Sequence, residues 1–325
     1  MEAKMSNGTP NATGQPANDK IELIKKYQLV PLIFIIVIGF FANSVVLIYG
    51  IHKRNMIKHY SNYFVLSMAV ADWLIIFTIP FHLFEYLEGY HGVHNAFCTY
   101  IIPIRETFQG VVILSISTLA IMRVRQVTTY PLKQFSKRSC QIIVVAIWIV
   151  SFFICTVPFY DGVYAFDEGG VCDPHYTSPL RMRVHVTLLV CLLLSPMLIA
   201  TIAYLTVIRR ISQVLARDSE NEHSSNNKRI TYLLIALIAS CWITFGVVSI
   251  HHLIILYARQ HLNTLLWHIG VPLYLGGSAL NPVLVILTMP EYRPCNDVQF
   301  RCLRKPRVAD EVNELRRNKI VSSSV

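Results

Sequence analysis

Seven apolar runs, each close to the twenty or so residues a helix needs to cross a bilayer, dominate this chain. They predict helices over 27–51, 63–84, 99–122, 142–160, 184–208, 230–257 and 265–289, with Arg105, Glu106 and Gln109 interrupting the third. The fold class expected is an all-α integral membrane protein, a seven-transmembrane helix bundle over 27–289. Residues 1–26 form an extracellular glycosylated tail and 290–325 a cytoplasmic one. Only 15% of residues are charged against 54% hydrophobic, too few charges for a soluble domain. The net charge of +10 lies between the apolar runs rather than on one face, which argues against a nucleic-acid partner. None of the eight cysteines stands in a CxxC pair or a Cys/His cluster of zinc spacing, so neither a metal nor a cofactor is expected. The first 20 residues are polar and lack the apolar stretch of a signal peptide, so the tail should stay flexible and the first helix act as its own membrane signal.

Basic residues set the orientation. With the N-terminus outside, the inner regions 52–60, 123–141, 209–229 and 290–325 hold 21 of the 29 Lys and Arg residues. Two sequons, Asn7-Gly8-Thr9 and Asn11-Ala12-Thr13, then fall on the lumenal side, where glycosylation occurs. Cys98 and Cys172 become the two cysteines in the oxidising compartment. A Cys98–Cys172 disulfide would pin the second outer loop across the top of the third helix.

Polar residues inside apolar helices are costly and mark candidate sites. They include Asn43 in the first helix, Asp72 in the second and Asn281-Pro282 in the seventh, with Trp148 in the fourth, Pro196 in the fifth and Trp242 in the sixth. Together with Cys98 and Arg123 at the two ends of the third helix, 25 residues apart, and Tyr204 eight residues after Pro196, this series resembles the rhodopsin-like G protein-coupled receptors. The resemblance implies a polar, hydrated core of Asn43, Asp72, Ser278, Asn281 and Pro282, a G-protein contact at Arg123 and an activation toggle at Trp242. Many relatives hold sodium in that core, but here Val112 and Gly277 stand where they often offer Ser and Asn.

Three switch positions depart from the family pattern. Asp/Glu-Arg-Tyr reads Met122-Arg123-Val124, which removes the acid that normally restrains the arginine. Cys-Trp-x-Pro reads Cys241-Trp242-Ile243-Thr244; losing the proline should straighten the helix, while Thr244 can bond back to a carbonyl. Asn-Pro-x-x-Tyr ends in Val285. These changes suggest either altered basal signalling or weak G-protein coupling.

The ligand pocket is expected from Arg105, Glu106, Gln109, Trp242, His251, His252 and Trp267. Arg105 stands where aminergic receptors place an Asp; it argues against an amine and suits a carboxylate, a phosphate or a peptide C-terminus, or else pairs with Glu106 or Glu85. The seventh helix holds no Lys for a retinal Schiff base. Thr78-Ile79-Pro80 is similar to the helix-two kink of peptide receptors, and the acidic outer loops would attract a basic peptide. A peptide ligand is favoured, with a lipid or small acid second. The expected inner partners are a heterotrimeric G protein, arrestin and a PDZ-type protein on Ser323-Ser324-Val325, with palmitoylation at Cys295 or Cys302. A transporter or channel would want several charges lining a path, and a metal-dependent hydrolase a His/Asp cluster. An atypical receptor without G-protein activation is the milder rival.

Overall fold

The computed structural model describes residues 15–52, 62–88, 100–128, 136–156, 164–166, 172–174, 178–217, 223–258 and 264–288. Seven long helices account for nearly all of them: α1 (Gln15–His52), α2 (Asn62–Glu88), α3 (Ile102–Thr128), α4 (Lys137–Cys155), α5 (Pro179–Arg217), α6 (His223–Ala258) and α7 (Thr264–Thr288). Each contains a stretch long and apolar enough to cross a membrane, and each coincides with one of the seven runs in the sequence. Between α4 and α5 the chain makes a two-stranded antiparallel hairpin, β1 (Tyr164–Phe166) and β2 (Cys172–Pro174), with Cys172 opposite Phe166. The end of the bundle where α4 stops and α5 starts is called the hairpin end below.

α1 differs from the sequence expectation. It begins at Gln15, well ahead of the apolar stretch that starts at Gln28. The intervening residues include Ala17, Lys20, Glu22, Leu23, Lys25 and Lys26, all good helix formers, so the helix extends beyond its apolar part. Local capping explains two other starts. Ser136 Oγ accepts the Ser139 N–H ahead of α4, and Ser178 Oγ accepts the Arg181 N–H ahead of α5, where Pro179 holds the first helical position. α5 and α6 are 39 and 36 residues long, well beyond the twenty or so that hydrocarbon requires.

The helices close into a ring in which α1 packs on α2 and α7, α2 on α3, α3 on α5, α5 on α6, and α6 on α7. α4 stands outside this ring against α2, α3 and α5. Burial follows from that placement, because 67% of the α3 span is enclosed by protein but only 22% of the α4 span. The charges of α3 thus sit on the most enclosed helix, where neighbours rather than lipid solvate them. Gly110 permits this close packing, since a Cβ there would stand 3.0 Å from Ser151 Oγ on α4 and 3.1 Å from Leu192 Cδ2 on α5. α4 is tethered by the Trp148 indole N–H, which donates to Ser67 Oγ at 2.9 Å, and by a 2.7 Å bond between the Thr107 and Thr156 hydroxyls. The outward faces are apolar, with Phe34, Phe41, Ile48, Ile142, Phe153 and Ile202 all exposed, as a lipid-facing surface requires.

Candidate ligand cleft and switch site

Polar side chains gather at two levels inside the ring. Nearer the hairpin end, residues 105, 106 and 109 fall within one arc of α3. Glu106 aims that arc at α7, because its Oε2 accepts a hydrogen bond of 2.6 Å from the Tyr274 hydroxyl. Its Oε1 faces Arg105 Nη2 at 3.4 Å. The Tyr274 ring meets Phe245 of α6 edge-on, with centroids 5.9 Å apart. His252 belongs to the same neighbourhood, within electrostatic reach of Glu106 and of buried His185 on α5. Its Nδ1 lies 2.7 Å from the Val248 carbonyl; a carbonyl can only accept, so Nδ1 carries a proton. The His251 ring is in edge contact with that of His252. Gln109 is fully buried one turn along α3 from Arg105.

The middle level follows from a proline. Pro282 has no N–H, so in α7 the Ser278 carbonyl loses its partner four residues on. The Asn43 side chain of α1 replaces it, its Nδ2 donating to Ser278 O at 2.8 Å and to Gly39 O at 2.9 Å. Ser278 Oγ bonds its own helix at Leu275 O. Asn281, one residue before the proline, donates to Asp72 Oδ2 on α2 at 3.4 Å. The expected set Asn43, Asp72, Ser278, Asn281 and Pro282 is therefore brought together, joining α1, α2 and α7. Beside it, a Cβ on Gly277 would lie 3.1 Å from Thr244 Cγ2, so the bare glycine makes room for the threonine. Thr244 Oγ1 donates to Ser240 O at 2.8 Å, the back-bond expected of it.

At the far end, Met122 and Val285 are buried and apolar, while Arg123 and Arg125 are exposed. Buried Tyr204 of α5 lies within electrostatic reach of both Arg123 and Cys241.

The model of the family described as 7 transmembrane receptor (rhodopsin family) matches residues 42–284, about three quarters of the chain. The chain is a rhodopsin-family seven-transmembrane receptor. This receptor is accordingly a multi-pass membrane protein and not an enzyme, and its family works by coupling an extracellular ligand to G proteins. Among the described residues no group of three or more His, Cys, Asp or Glu side chains could hold a metal ion. In the receptor's polar core, Asp72 Oδ1 and Asn43 Oδ1 accept no hydrogen bond among the described residues. Val112 and Gly277 add no oxygen to them, which leaves a short set for a hard cation that takes several oxygens.

One expected pocket residue is placed elsewhere. Trp242 points out of the ring, 39% exposed, with its indole N–H donating to Thr201 Oγ1 of α5 at 3.0 Å. The rotation of α6 is set by what it buries: Cys241, Thr244, Phe245 and Val248 face inward. Trp242 precedes Phe245 by three residues and lies just beyond the Phe245 edge of that buried stripe, and Phe245 is the α6 aromatic that meets Tyr274. Tyr274 and His185 belong to the cleft although nothing in the sequence singled them out. A tyrosine or histidine within an apolar run was the available signal. Trp267 lies in α7, but its side chain and that of Glu85 are outside the described residues. So are Asn7, Asn11, Cys98, Cys295, Cys302 and Ser323-Ser324-Val325.

Proposed function

We propose that this receptor stands in the plasma membrane with its N-terminus and hairpin end outside, binds a peptide between α3, α6 and α7, and passes the change to a heterotrimeric G protein at the opposite end. The observation that carries this reading is the Glu106–Tyr274 bond with Arg105 beside it. It is a polar junction between two helices in the enclosed half of the bundle, where a ligand competing for these groups shifts the balance between two helix arrangements. The basic residues clustered in 52–60, 123–141, 209–229 and 290–325 support the orientation, and place Asn7 and Asn11 where glycans are added and Cys98 and Cys172 where a disulfide persists. Arg123, exposed at the opposite end, is the G-protein contact. Arrestin, a PDZ-type protein on Val325 and lipid on Cys295 or Cys302 are further inner partners.

Met122 and Val285 favour a second reading, in which ligand binding is retained but G-protein coupling is weak. Both are buried apolar side chains where the family pattern has an acid and a tyrosine. A peptide-library screen on cells expressing the receptor, read by nucleotide exchange and by arrestin recruitment, tests both. Peptides that drive exchange support the first reading, and recruitment without exchange supports the second. Silence in both channels overturns the peptide proposal.

A further inference from the structure

Two donors in the cleft stand out because no described group answers them. Arg105 Nε and Gln109 Nε2 are both buried, and neither makes a hydrogen bond among the described residues. Buried hydroxyls such as Ser115 and Ser151 are also unanswered, but a hydroxyl can act either as donor or as acceptor. A guanidinium Nε–H and an amide NH2 can only donate. The two residues are four apart on α3, so their side chains lie one above the other on one helix face. Leaving such donors unanswered in a low-dielectric interior is costly, and the cost falls when an acceptor arrives.

The neighbours of Arg105 indicate which acceptor. Its contact with Glu106, at 3.4 Å through Nη2, is longer than the 2.7–2.9 Å typical of a charge-assisted bond. Glu106 is held instead by Tyr274 at 2.6 Å. The guanidinium is thus near a carboxylate without being saturated by it, and its Nε–H is left without a partner among the described residues.

We infer that Arg105 and Gln109 form a two-point clamp for a ligand carboxylate, with Glu106 as the internal competitor that the ligand displaces from the guanidinium. A planar carboxylate has two oxygens, one for Arg105 and one for Gln109, and matches the guanidinium fork as an amine or a neutral apolar group does not. Glu106 keeps its bond to Tyr274 when its grip on Arg105 is lost, so occupancy of the clamp changes the balance of charge at the α3–α7 junction. The inference rests on the cleft proposed above and deepens it. The same chemistry serves a peptide C-terminus or a small organic acid.

The test uses the purified full-length receptor in lipid nanodiscs and reads its thermal unfolding. The probes are N-acetyl tripeptides with a free C-terminal carboxylate or a matched carboxamide, and phenylpropionate against phenylpropionamide. Acids are expected to raise the unfolding temperature and their amides not to. Arg105→Gln and Gln109→Leu should each raise the acid concentration required by about tenfold or more. Glu106→Gln, which keeps an acceptor for Tyr274 and removes the competing charge, should lower it. That variant also decides the matter if Arg105→Gln does not fold. Acids and amides acting equally, no acid acting at all, or Glu106→Gln weakening the acids would each overturn the clamp. If phenylpropionate acts and no peptide does, the clamp stands and the peptide reading falls. If both peptide termini act alike, the peptide reading stands and the clamp falls.

Discussion

Tyr274 on α7 donates its hydroxyl proton to Glu106 Oε2 on α3 across 2.6 Å. This bond links the two helices near the hairpin end. Tyr274→Phe keeps the ring against Phe245 and removes the donor, leaving a partly buried carboxylate short of a partner. The expected cost is about 1.5–3 kcal/mol, the range for hydrogen bonds to charged groups, read as a lower apparent unfolding temperature. An unchanged temperature would show that the bond contributes nothing.

Asn43 and Pro282 should be energetically coupled. In the native chain Asn43→Ala leaves the Ser278 carbonyl without a donor, at a cost of about 1–3 kcal/mol. Pro282→Ala returns an N–H four residues from that carbonyl, so Asn43→Ala should cost less in that background. A double-mutant cycle on unfolding temperatures measures the coupling. Strict additivity would mean that the proline and the asparagine act separately.

Gly277→Ala introduces a methyl 3.1 Å from Thr244 Cγ2. Overpacking of this kind costs about 1–3 kcal/mol. Thr244→Ser removes the opposing methyl while keeping the hydroxyl bond to Ser240, and should restore most of the loss. If Gly277→Ala is as stable as the native receptor, α6 and α7 are looser at this level than their geometry implies.

Trp242 and Phe245 should behave differently. Trp242→Phe loses one bond at the periphery, worth about 0.5–1.5 kcal/mol. Phe245→Ala empties a fully buried site against Tyr274, at about 3–5 kcal/mol. Equal losses from the two substitutions would contradict the outward placement of the tryptophan.

Arg123→Ala is expected to abolish nucleotide exchange while sparing surface expression. Met122→Asp restores an acid beside the arginine and should lower ligand-free signalling. Unchanged exchange in Arg123→Ala would remove Arg123 from the coupling surface, and no change from Met122→Asp in a receptor with detectable basal exchange would count against a loosened resting state.

The seven helices were legible because hydropathy alone decides where a chain can cross lipid, and even α3 with three polar interruptions kept enough apolar length. The Asn43–Asp72–Asn281 core was legible as well, since a polar residue within an apolar helix has few reasons to be there. The position of Trp242 was not. α6 is apolar on most of its circumference, so its rotation is fixed by contacts of Thr244 with Gly277 and of Phe245 with Tyr274, which are separated from it in sequence. Tyr274 was missed for a related reason, because a tyrosine in an apolar run also suits the membrane interface. The early start of α1 was hidden because hydropathy reports the lipid boundary and not the helix boundary.

The lengths of α5 and α6 bear on how a small event in the cleft can be felt far away. At 1.5 Å per residue they measure about 58 and 54 Å, against a hydrocarbon layer of about 30 Å. α5 continues to Arg217 and α6 begins at His223, so both helices run past the apolar spans that end at Gln213 and start at Ile235. The Trp242–Thr201 bond joins them on the outer surface, between the cleft and those ends. A tilt of a few degrees about that bond displaces the tips by several times the movement at Phe245. On α6 the arm from Trp242 to Phe245 is three residues and the arm from Trp242 to His223 is nineteen, so the tryptophan that the sequence suggested was the trigger stands where a pivot would.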